Sequence, residues 1–460
     1  MPALPLITHP RPESILAYRG GESISAGRFL LDARALAARL PVGAHVLNLC
    51  SDRYRFSVGL AASLLSGKCS LLPPAHTPEV VRQLCAFAPD AFCLTDDPDC
   101  TLELPLLLYR DDADEAGDAA RRDAAAAEFR VPRIDAAQLA AYIFTSGSSG
   151  APLPHRKTWG RLVQCVRHEV VRLGPPGRDA AILGTVPPQH MYGFESTVML
   201  PLQSGGALCA GRPFFPADIA VGLRELPRPR VLITTPVHLR ALLAADMALP
   251  ALDLFVSATA MLPVNVARAV ERRYAAPLLE IYGSTETGQM AARRTALEDQ
   301  WQLWSDVRLE FIEERCWAQG GHIEQATPLA DVLELRGQNR FVLHGRAADM
   351  VNIAGKRSSL AYLNHQLNAI PGVLDGAFFV REDVPASLAG VTRVAALAVA
   401  PSLDVSAIVR ALRERIDPVF LPRPLLLVEA LPRNETGKLP QHALRTLVAQ
   451  AAARAPHLFA

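Results

Sequence analysis

Residues 142–152 read Tyr-Ile-Phe-Thr-Ser-Gly-Ser-Ser-Gly-Ala-Pro, an apolar run that leads into a loop of glycines and hydroxyl side chains. A short apolar run that ends in a turn-rich segment predicts a buried strand of an α/β sheet. Ligands of such sheets bind where the strands end. A loop with hydroxyls and unobstructed backbone N–H groups suits a polyphosphate. The stretch therefore predicts a phosphate-binding loop, with a plain flexible turn as the alternative.

The loop is not a Walker P-loop, and no other segment of the chain is one. Neither Gly355-Lys356 nor Gly437-Lys438 is followed by Ser or Thr, and neither has a glycine five positions before its own glycine. The loop at residues 145–150 is therefore a weak signal by itself, and its interpretation depends on other motifs of the chain.

The surrounding sequence predicts a large α/β region with layered sheets. His45–Leu49, a small-residue helical stretch at Val58–Leu65 and Cys69–Leu72 have the order strand, helix, strand that is typical of parallel sheets. Residues 28–40 repeat apolar side chains at helical spacing and end before Pro41-Val42-Gly43. Further buried strands are predicted at Ala141–Phe144, Ala180–Val186, Val231–Thr234, Leu252–Val256 and Leu278–Ile281. The charged, alanine-rich stretch Asp111–Ala127 indicates a solvated helix or loop.

A second region begins near Arg346. Val373–Val380 and Val391–Val399 are typical of two strands around a turn, and Val405–Ile416 and Gln441–Ala453 of helices. A segment of about 110 residues is long enough to fold by itself. We therefore expect a small α+β domain after the large one.

Composition excludes several classes of protein. Of the 460 residues, 50% are hydrophobic and 20% charged, and the net charge is +1, which favours an ordinary globular protein over a disordered or nucleic-acid-binding one. The eight cysteines form no C-x-x-C pair and predict reduced, mostly buried thiols. The first residues do not form a signal peptide, and no apolar run is long enough for a membrane span. We expect a cytoplasmic protein.

Three downstream motifs accompany the loop. They are Tyr282-Gly283-Ser284-Thr285-Glu286, Gly345-Arg346-Ala347-Ala348-Asp349, and Leu431-Pro432-Arg433-Asn434-Glu435-Thr436-Gly437-Lys438. In this order and spacing the set resembles the superfamily of acyl-CoA synthetases, peptide-synthetase adenylation domains and luciferases, over roughly Gly21 to Arg445. The resemblance implies an adenylate-forming domain at 1–345, a hinge at 346–349 and a mobile C-terminal domain at 350–460 that carries a catalytic lysine.

The resemblance also implies a nucleotide site. The β- and γ-phosphates of ATP would be held by the loop residues Thr145, Ser146, Gly147, Ser148, Ser149 and Gly150. Tyr282, beside Gly283, would stack near adenine, Thr285 would contact the α-phosphate, and Glu286 would hold Mg²⁺, an ion that prefers carboxylate and phosphate oxygens. Asp331 would bind the ribose hydroxyls, with Arg346 as its partner.

The remaining implied roles concern the acid and the thiol. Lys438 would bridge the acid's carboxylate and the α-phosphate, and Gly355 and Lys356 would lie beside the thiol donor, CoA or a carrier protein's phosphopantetheine. The acid pocket would lie between two segments, one with His190, Met191 and Tyr192 and the other with Ser257, Ala258 and Thr259.

Several of these residues also have a plain structural interpretation. Glu286 suits the first turn of a helix, Lys438 could be a solvated lysine, and Asp331 an ordinary surface residue, because the usual Thr-Gly-Asp context is absent. His190 could be a core histidine.

The chain departs from the family pattern at the loop. Leu153-Pro154 stand where the family has Lys-Gly, so either Lys157 substitutes for the missing lysine or the loop works through N–H and hydroxyl donors alone. Ala348 occupies a hinge position that is usually acidic or lysine, and Ala258-Thr259-Ala260 stand where paired glycines are common. These changes put the charge of the loop and the depth of the pocket in question.

These features together favour an AMP-forming acid–thiol ligase. The sequence is similar to stand-alone synthetases of bacterial aryl-polyene and xanthomonadin-type pigment pathways. Ala258, Thr259 and Ala260 predict a shallow pocket, and His190, Tyr192 and Thr259 could hydrogen-bond a hydroxyl of the acid. A small hydroxylated acid such as 4-hydroxybenzoate is therefore expected ahead of a short 3-hydroxyacyl acid. The alternatives are a non-catalytic nucleotide- or acyl-binding protein on the same fold and a luciferase-like oxygenase. The identity of the acid, the thiol acceptor and the oligomeric state, monomer or homodimer, stay open.

Overall fold

The structure is a computed structural model. It describes residues 2–73, 76–111, 129–146, 152–175, 179–313, 315–346, 350–353, 356–380, 393–434 and 439–454.

Helices and strands alternate through the first part of the chain, and short strands dominate from residue 278 to residue 359. The strands are β1 (Leu4–Pro5), β2 (Ile15–Arg19), β3 (Glu22–Ser25), β4 (His45–Asn48), β5 (Cys69–Leu72), β6 (Phe92–Thr95), β7 (Leu106–Leu108), β8 (Arg133–Ile134), β9 (Leu139–Ser146), β10 (Pro152–Thr158), β11 (Ala181–Gly184), β12 (Ala207–Cys209), β13 (Arg230–Thr234), β14 (Leu254–Ser257), β15 (Leu278–Ser284), β16 (Gly288–Arg293), β17 (Trp301–Leu303), β18 (Val307–Ile312), β19 (Arg315–Gly320), β20 (Ile323–Pro328), β21 (Asp331–Leu335), β22 (Arg340–Arg346), β23 (Met350–Ile353), β24 (Lys356–Ser359), β25 (Asp375–Val380), β26 (Val394–Val399) and β27 (Leu425–Leu427). The helices are α1 (Ala26–Ala37), α2 (Arg53–Leu65), α3 (Pro78–Phe87), α4 (Trp159–Leu173), α5 (Met191–Gly193), α6 (Leu200–Ser204), α7 (Pro216–Arg224), α8 (Pro236–Ala244), α9 (Val264–Tyr274), α10 (Leu360–Asn368), α11 (Val405–Arg413) and α12 (Gln441–Arg454). A π-helical segment, Phe194–Met199, joins α5 to α6, and a 3₁₀ turn spans Pro418–Phe420.

Two large sheets form the layers of the first region. One has six strands in the order β10-β9-β5-β4-β6-β7, parallel except for the β9–β10 hairpin. The other has eleven strands in the order β21-β22-β17-β16-β15-β14-β13-β11-β12-β2-β3, and it is parallel from β15 to β2. Parallel strands are covered on both faces, so they appear in the sequence as continuous apolar runs. This is why the predicted strands at residues 180–186, 231–234 and 278–281 correspond to real ones.

Helix α2 lies between the two sheets, in contact with β12 of one and with β4, β5 and β9 of the other. Its small residues permit this close approach. A Cβ atom added to Gly59 would lie 2.6 Å from the Asn48 amide nitrogen and 2.6 Å from a Leu94 methyl carbon. The small-residue character of Val58–Leu65 therefore reflects a helix that is enclosed on two sides.

A buried arginine, Arg53, fixes the carboxyl ends of the neighbouring strands β11 and β12. Its guanidinium donates to the carbonyl oxygens of Gly184 (3.0 Å), Val186 (3.0 Å), Cys209 (2.9 Å) and Gly211 (2.7 Å). Burial lowers the pKa of Arg53 to about 10. The carbonyl groups take the place of a carboxylate partner, so this residue is part of the framework of the strand ends.

The C-terminal region has its own core, which runs from Val351 to Leu425. Strand β26 pairs antiparallel with β25 and parallel with β27, and α10 and α11 contribute the buried leucines Leu363, Leu367 and Leu412. The predicted fold class, a large α/β region with layered sheets and a smaller α+β C-terminal domain, is confirmed. The boundary at residue 345 and the hinge at 346–349 stay predictions, and residues 347–349 lie outside the described ones.

Several predicted helices differ from the observed ones at their ends, and the largest difference is that α2 begins at Arg53 rather than near Val58. Helix α1 begins two residues before the predicted start because the Ser25 hydroxyl accepts the Arg28 N–H at 3.2 Å, which is a helix N-cap. Helix α11 ends at Arg413 rather than Ile416, since Asp417 is extended ahead of Pro418. Most of Asp111–Ala127, residues 112–127, lies outside the described part.

All eight cysteines are free thiols, six of them buried, which confirms the prediction of reduced core cysteines. Among the described helices, none is both long and apolar enough to cross a lipid bilayer.

Candidate active site

The predicted phosphate loop lies at the tip of the β9–β10 hairpin. Strand β9 runs to Ser146 and β10 starts at Pro152, and Thr145 pairs with Leu153 across the hairpin. Residues 147–151, and with them Gly147, Ser148, Ser149 and Gly150, lie outside the described residues. Thr145 is therefore the loop residue whose side chain the structure places.

A second hairpin, between β15 and β16, carries Thr285 and Glu286 in its turn. Gly283 has no space for a side chain, because an added Cβ atom would lie 2.2 Å from the Gly288 carbonyl oxygen. Ser284 and Thr287 close the turn, each backbone N–H donating to the other's hydroxyl at 3.2 and 3.3 Å. Glu286 lies in a strand–strand turn, so the interpretation as a helix-start carboxylate is wrong.

His155 joins the two hairpins. Its Nε2 lies 3.0 Å from the Thr145 hydroxyl oxygen and 3.7 Å from a carboxylate oxygen of Glu286. Burial lowers the pKa of His155, although the Glu286 charge acts in the opposite direction. Burial alone would raise the pKa of Glu286, but the Ser284 hydrogen bond and the nearby His155 and Lys157 hold it below its usual value. Glu286 is thus an anion beside the end of the β9–β10 hairpin.

Lys157 lies deeper in the protein than His155, on the same strand, β10. Its ammonium group donates to the backbone carbonyl oxygen of Glu286 at 3.1 Å, and the residue is only 8% exposed. Burial lowers the pKa of Lys157, against the attraction of Glu195 and Glu286. The idea that Lys157 replaces the missing loop lysine at the phosphates is not supported by this position, since the ammonium group supports the Glu286 turn from below.

Beneath Lys157 lies a buried polar network. The Cys165 thiol donates to Glu195 at 3.1 Å, and the Ser196 hydroxyl donates to Glu169 at 2.6 Å. The Gln289 amide donates to Ser196 at 2.8 Å and to Glu169 at 3.3 Å. Burial raises the pKa of Glu169 to about 8 and that of Glu195 to about 7. The network connects α4 and the π-helical segment to the strand that follows Glu286.

The predicted ribose site is assembled at the edge of the larger sheet. The Tyr282 hydroxyl donates to the Asp331 carboxylate at 2.6 Å, and Asp331 lies opposite Arg346 in the register of β21 and β22. The Tyr282 ring packs against Trp301 and Phe341, with ring centroids 5.5 and 5.2 Å away. The tertiary structure thus brings Tyr282 into contact with Asp331, and the backbone of Arg346 lies opposite that of Asp331. The ribose role of Asp331 stays a prediction.

The two segments predicted to line the acid pocket, 190–192 and 257–259, are joined by a hydrogen bond through the end of β14. Tyr192 is buried, and its hydroxyl donates to the Val256 carbonyl oxygen at 3.0 Å, which ties α5 to the end of β14. Met191 and Ala258 are also buried, while His190 is half-buried at the N-terminus of α5. The Tyr192 hydrogen is therefore already used within the protein, contrary to the expectation that it is available to an acid's hydroxyl.

The end of β14 contains a strained residue. Thr259 is half-buried and has φ +79°, a conformation that favours glycine and is an outlier for a β-branched side chain. Ser257, predicted as pocket lining, is fully buried, and its hydroxyl oxygen has no hydrogen-bond partner within the described structure. Thr259 is therefore more accessible than Ser257 at this strand end.

The remaining predicted residues belong to the C-terminal domain. Gly355 and Lys438 lie outside the described residues, and Lys356 is the first residue of β24, paired with Ile353. The structure therefore leaves the thiol-donor and lysine assignments as predictions.

Sequence reasoning missed His155 and the Glu169–Glu195 network, and it gave Lys157 a different role. The sequence contained a signal for His155, because Leu153, His155 and Lys157 lie two residues apart along one strand and so share a face. The network had no such signal, since its members lie on separate elements, far apart in sequence.

The site can accommodate Mg²⁺ as part of a nucleotide complex. The described residues contain no group of three or more His, Cys, Asp or Glu side chains that could hold a metal ion. A partly exposed, anionic Glu286 suits an ion that takes one or two carboxylates plus phosphate oxygens.

Comparison with known proteins agrees with these features. The AMP-binding enzyme family model matches residues 8–310. The 4-coumarate–CoA ligase of Rhodobacter capsulatus is 30% identical over 230 residues, which are 50% of this chain and 57% of that ligase, so the match spans little more than half of the relative. The 4-coumarate–CoA ligase of Halorhodospira halophila is 28% identical over 301 residues, 64% of this chain and 73% of the ligase.

Solved structures share the fold over almost the whole chain. ATP-bound MatB from Rhodopseudomonas palustris superposes with a TM-score of 0.77 at 19% identity, covering 96% of this chain and 97% of that one. The anthranilate CoA ligase AuaEII in complex with anthranoyl-AMP gives a TM-score of 0.78 at 14% identity, covering 98% and 99%. At these identities the likeness shows the fold, whereas the family match covers well over half of the sequence. The chain belongs to the AMP-binding enzyme family.

Proposed function

We propose that the protein is an AMP-forming acid–thiol ligase, which activates a small carboxylic acid as an acyl adenylate and transfers the acyl group to a thiol. The observation that carries the proposal is the junction of two hairpins, where His155 Nε2 lies 3.0 Å from the Thr145 hydroxyl oxygen and 3.7 Å from a Glu286 carboxylate oxygen. A hydroxyl, an imidazole and a carboxylate at a hairpin tip suit a triphosphate with its metal ion. The Tyr282–Asp331 pair supports a nucleoside beside it.

The chemistry explains these residue types. An acid's carboxylate that attacks the α-phosphate brings negative charge onto negative charge, so the site must neutralise both before a bond forms. Bound Mg²⁺, held by Glu286 and phosphate oxygens, would supply part of that positive charge. Thr145 would orient the terminal phosphates, Asp331 would hold the ribose, and Lys438 would supply the cation between the acid and the α-phosphate.

For the acid we propose a small hydroxylated aryl acid, with 4-hydroxybenzoate ahead of a short 3-hydroxyacyl acid. Support comes from the hydrogen bond of Tyr192 to the end of β14, which joins the two segments predicted to line the pocket, and from the side chain that Thr259 adds where a glycine would leave space. Among the relatives, a 3-hydroxybenzoate–CoA/4-hydroxybenzoate–CoA ligase of Thauera aromatica is 22% identical over 372 residues. A role in aryl-polyene or xanthomonadin-type pigment synthesis belongs to the same proposal.

The second half-reaction would need a different arrangement of the site. We propose that the segment 346–349 rotates the C-terminal domain, which removes Lys438 and brings Gly355 and Lys356 beside the incoming thiol. The acceptor is CoA or a carrier protein's phosphopantetheine, which present the same thiol arm.

ATP–pyrophosphate exchange with a panel of acids tests the proposal. Exchange with hydroxybenzoates should exceed exchange with 3-hydroxyoctanoate and palmitate. Preference for palmitate would contradict the shallow pocket, and preference for 3-hydroxyoctanoate would move the assignment to the acyl branch. A protein that binds ATP without exchange for any acid would be a non-catalytic binding protein, which the loss of the loop lysine at Leu153 would then explain.

Lys438→Ala separates the two half-reactions. Adenylation should fall by about 10²- to 10³-fold, the usual loss for one donor aimed at developing charge. Transfer from a supplied acyl adenylate to the thiol should continue at the wild-type rate. An equal loss in both steps would contradict the alternating-domain mechanism.

A further inference from the structure

We infer that His155 binds the β- or γ-phosphate of the nucleotide directly and supplies the phosphate donor that Leu153 cannot provide. The inference rests on the proposed function, because it concerns the same nucleotide site. It assigns a role to a residue on β10 that the sequence motifs left unassigned.

The first argument is the face of the strand. Side chains two residues apart in a strand point to the same face, so Leu153, His155 and Lys157 form a row on β10. Leu153 at the outer end is apolar and 55% exposed, which excludes it as a phosphate donor. His155 is the next residue inward on that face, and its imidazole is the first polar side chain of the row.

The second argument is the position of the imidazole. One nitrogen, Nε2, faces both the Thr145 hydroxyl at 3.0 Å and the Glu286 carboxylate at 3.7 Å. By the roles proposed above, Thr145 would contact the terminal phosphates and Glu286 would hold the metal ion. Nε2 shares a hydrogen bond with the Thr145 hydroxyl, and an oxygen of a bound terminal phosphate would replace that hydroxyl as the partner of an Nε2–H group. Since a neutral imidazole also carries one N–H donor, the role does not depend on a charged ring.

The third argument is the alternative donor. Lys157 carries the cationic side chain of this row, but its ammonium group is bound to the Glu286 backbone carbonyl and buried. The two residues therefore have different roles in the site. Lys157 supports the backbone of the Glu286 turn, and His155 faces the phosphates.

The decisive experiment compares nucleotides that differ only in their phosphates. Equilibrium binding of ATP and of AMP is measured by displacement of a fluorescent ATP analogue, with and without Mg²⁺, for wild type, His155→Phe and His155→Gln. His155→Phe should raise the Kd for ATP by about 10- to 100-fold, the range for a lost hydrogen bond to a charged group. The Kd for AMP should stay within about twofold of wild type, because AMP has no β- or γ-phosphate. His155→Gln, which keeps an N–H donor, should fall between the two.

A matched control is His168→Gln, because His168 also pairs with a carboxylate, Asp306 at 2.8 Å, but lies outside the site. Its Kd values should equal those of wild type. Leu153→Lys, introduced into His155→Phe, should restore ATP binding, since it returns a cation to the same strand face. Thermal melting of each variant shows whether it is folded, and the conservative His155→Gln variant tests the inference if His155→Phe is not.

The outcomes separate this inference from the function on which it depends. Equal weakening of ATP and AMP binding by both His155 variants, or no weakening of either, would overturn the inference and make His155 a structural residue. Absence of ATP binding by wild type itself would overturn the proposed function. Selective loss of ATP binding that Leu153→Lys rescues supports the assignment of His155 to the phosphates.

Discussion

Replacing Lys157 with methionine tests how the Glu286 turn is supported. Methionine is apolar, close in length to lysine, and removes only the ammonium group, which donates to the Glu286 carbonyl at 3.1 Å and lies in the field of Glu195. If Lys157 supports this turn, the variant should lose stability and should need more Mg²⁺ to fill the site. If Lys157 contacted the phosphates, the variant would mainly lose affinity for ATP.

The expected magnitude follows from the two partners of the ammonium group. A buried carbonyl without its donor costs about 1–3 kcal/mol, and a broken buried ion pair costs about 3–5 kcal/mol. The larger figure does not apply in full, because Glu195 already has a pKa raised to about 7 by burial and can take up a proton instead. Near neutral pH this proton uptake costs less than about 1 kcal/mol. We therefore expect a loss of about 1–3 kcal/mol at pH 6.

The loss should grow with pH. Lys157 lowers the pKa of Glu195, so removing the ammonium group raises that pKa further. Above pH 7 the folded variant must then either bind a proton that wild type has released or bury an unpaired carboxylate. The difference in the free energy of unfolding should increase by up to about 1.4 kcal/mol per pH unit.

Urea unfolding at pH 6 and pH 8, followed by tryptophan fluorescence, measures this difference. All four tryptophans, Trp159, Trp301, Trp304 and Trp317, lie in the first 345 residues and report on the region that contains Lys157. Lys68→Met is the matched control, because Lys68 also donates to a backbone carbonyl, that of Gly43, and these two residues lie just before strands β5 and β4 of the six-stranded sheet. An equal loss at both pH values would refute the coupling to Glu195. A stable variant whose Kd for ATP alone rises would refute the supporting role.

Three further predictions concern other residues of the site. Thr259→Gly should stabilise the protein by about 1 kcal/mol, because glycine adopts φ +79° without strain. The same variant should raise pyrophosphate exchange with acids bulkier than 4-hydroxybenzoate. Lower stability in urea unfolding would contradict this prediction. Glu286→Gln should raise the Mg²⁺ concentration for half-maximal adenylation while circular dichroism stays unchanged, and an unaltered Mg²⁺ dependence would exclude Glu286 as the metal carboxylate. Burial raises the pKa of Glu169 to about 8, so its protonated form stabilises the fold fully below its unfolded pKa near 4.5, and that stabilisation is lost as the pH rises to about 8. Glu169→Gln should abolish this loss in urea unfolding, and a pH profile identical to that of wild type would refute it.

The fold was largely predictable because its central strands are buried on both faces. Such strands appear in the sequence as uninterrupted apolar runs, and β11, β13 and β15 were located by that pattern. The ends of helices and strands were harder to predict. The cap at Ser25 and the turn before Pro418 depend on single hydrogen bonds and local dihedral angles, which shift a boundary by two or three residues.

The candidate site was predictable only in part. Tyr282, Glu286 and Asp331 stand in short motifs whose order along the chain is informative, and the structure brings Tyr282 and Asp331 into contact. The role of Lys157 was inferred from its distance in sequence to Leu153, which carries no information on depth. Strand β10 turns that short separation into a step from the surface to the interior, so the lysine lies under the Glu286 turn.

The sequence by itself determined the α/β class, the run of hydroxyl side chains and glycines at residues 145–150 and the set of chemical groups available for a nucleotide. These properties depend on local periodicity and on residue type, which any window of the chain reveals. Only the tertiary structure decided which groups meet. Thr145, His155 and Glu286 are brought together by two hairpins that lie more than a hundred residues apart, and Tyr192 is fixed to Val256 across 64 residues. Contacts of that kind depend on how the two sheets are stacked, which no local pattern in the sequence records.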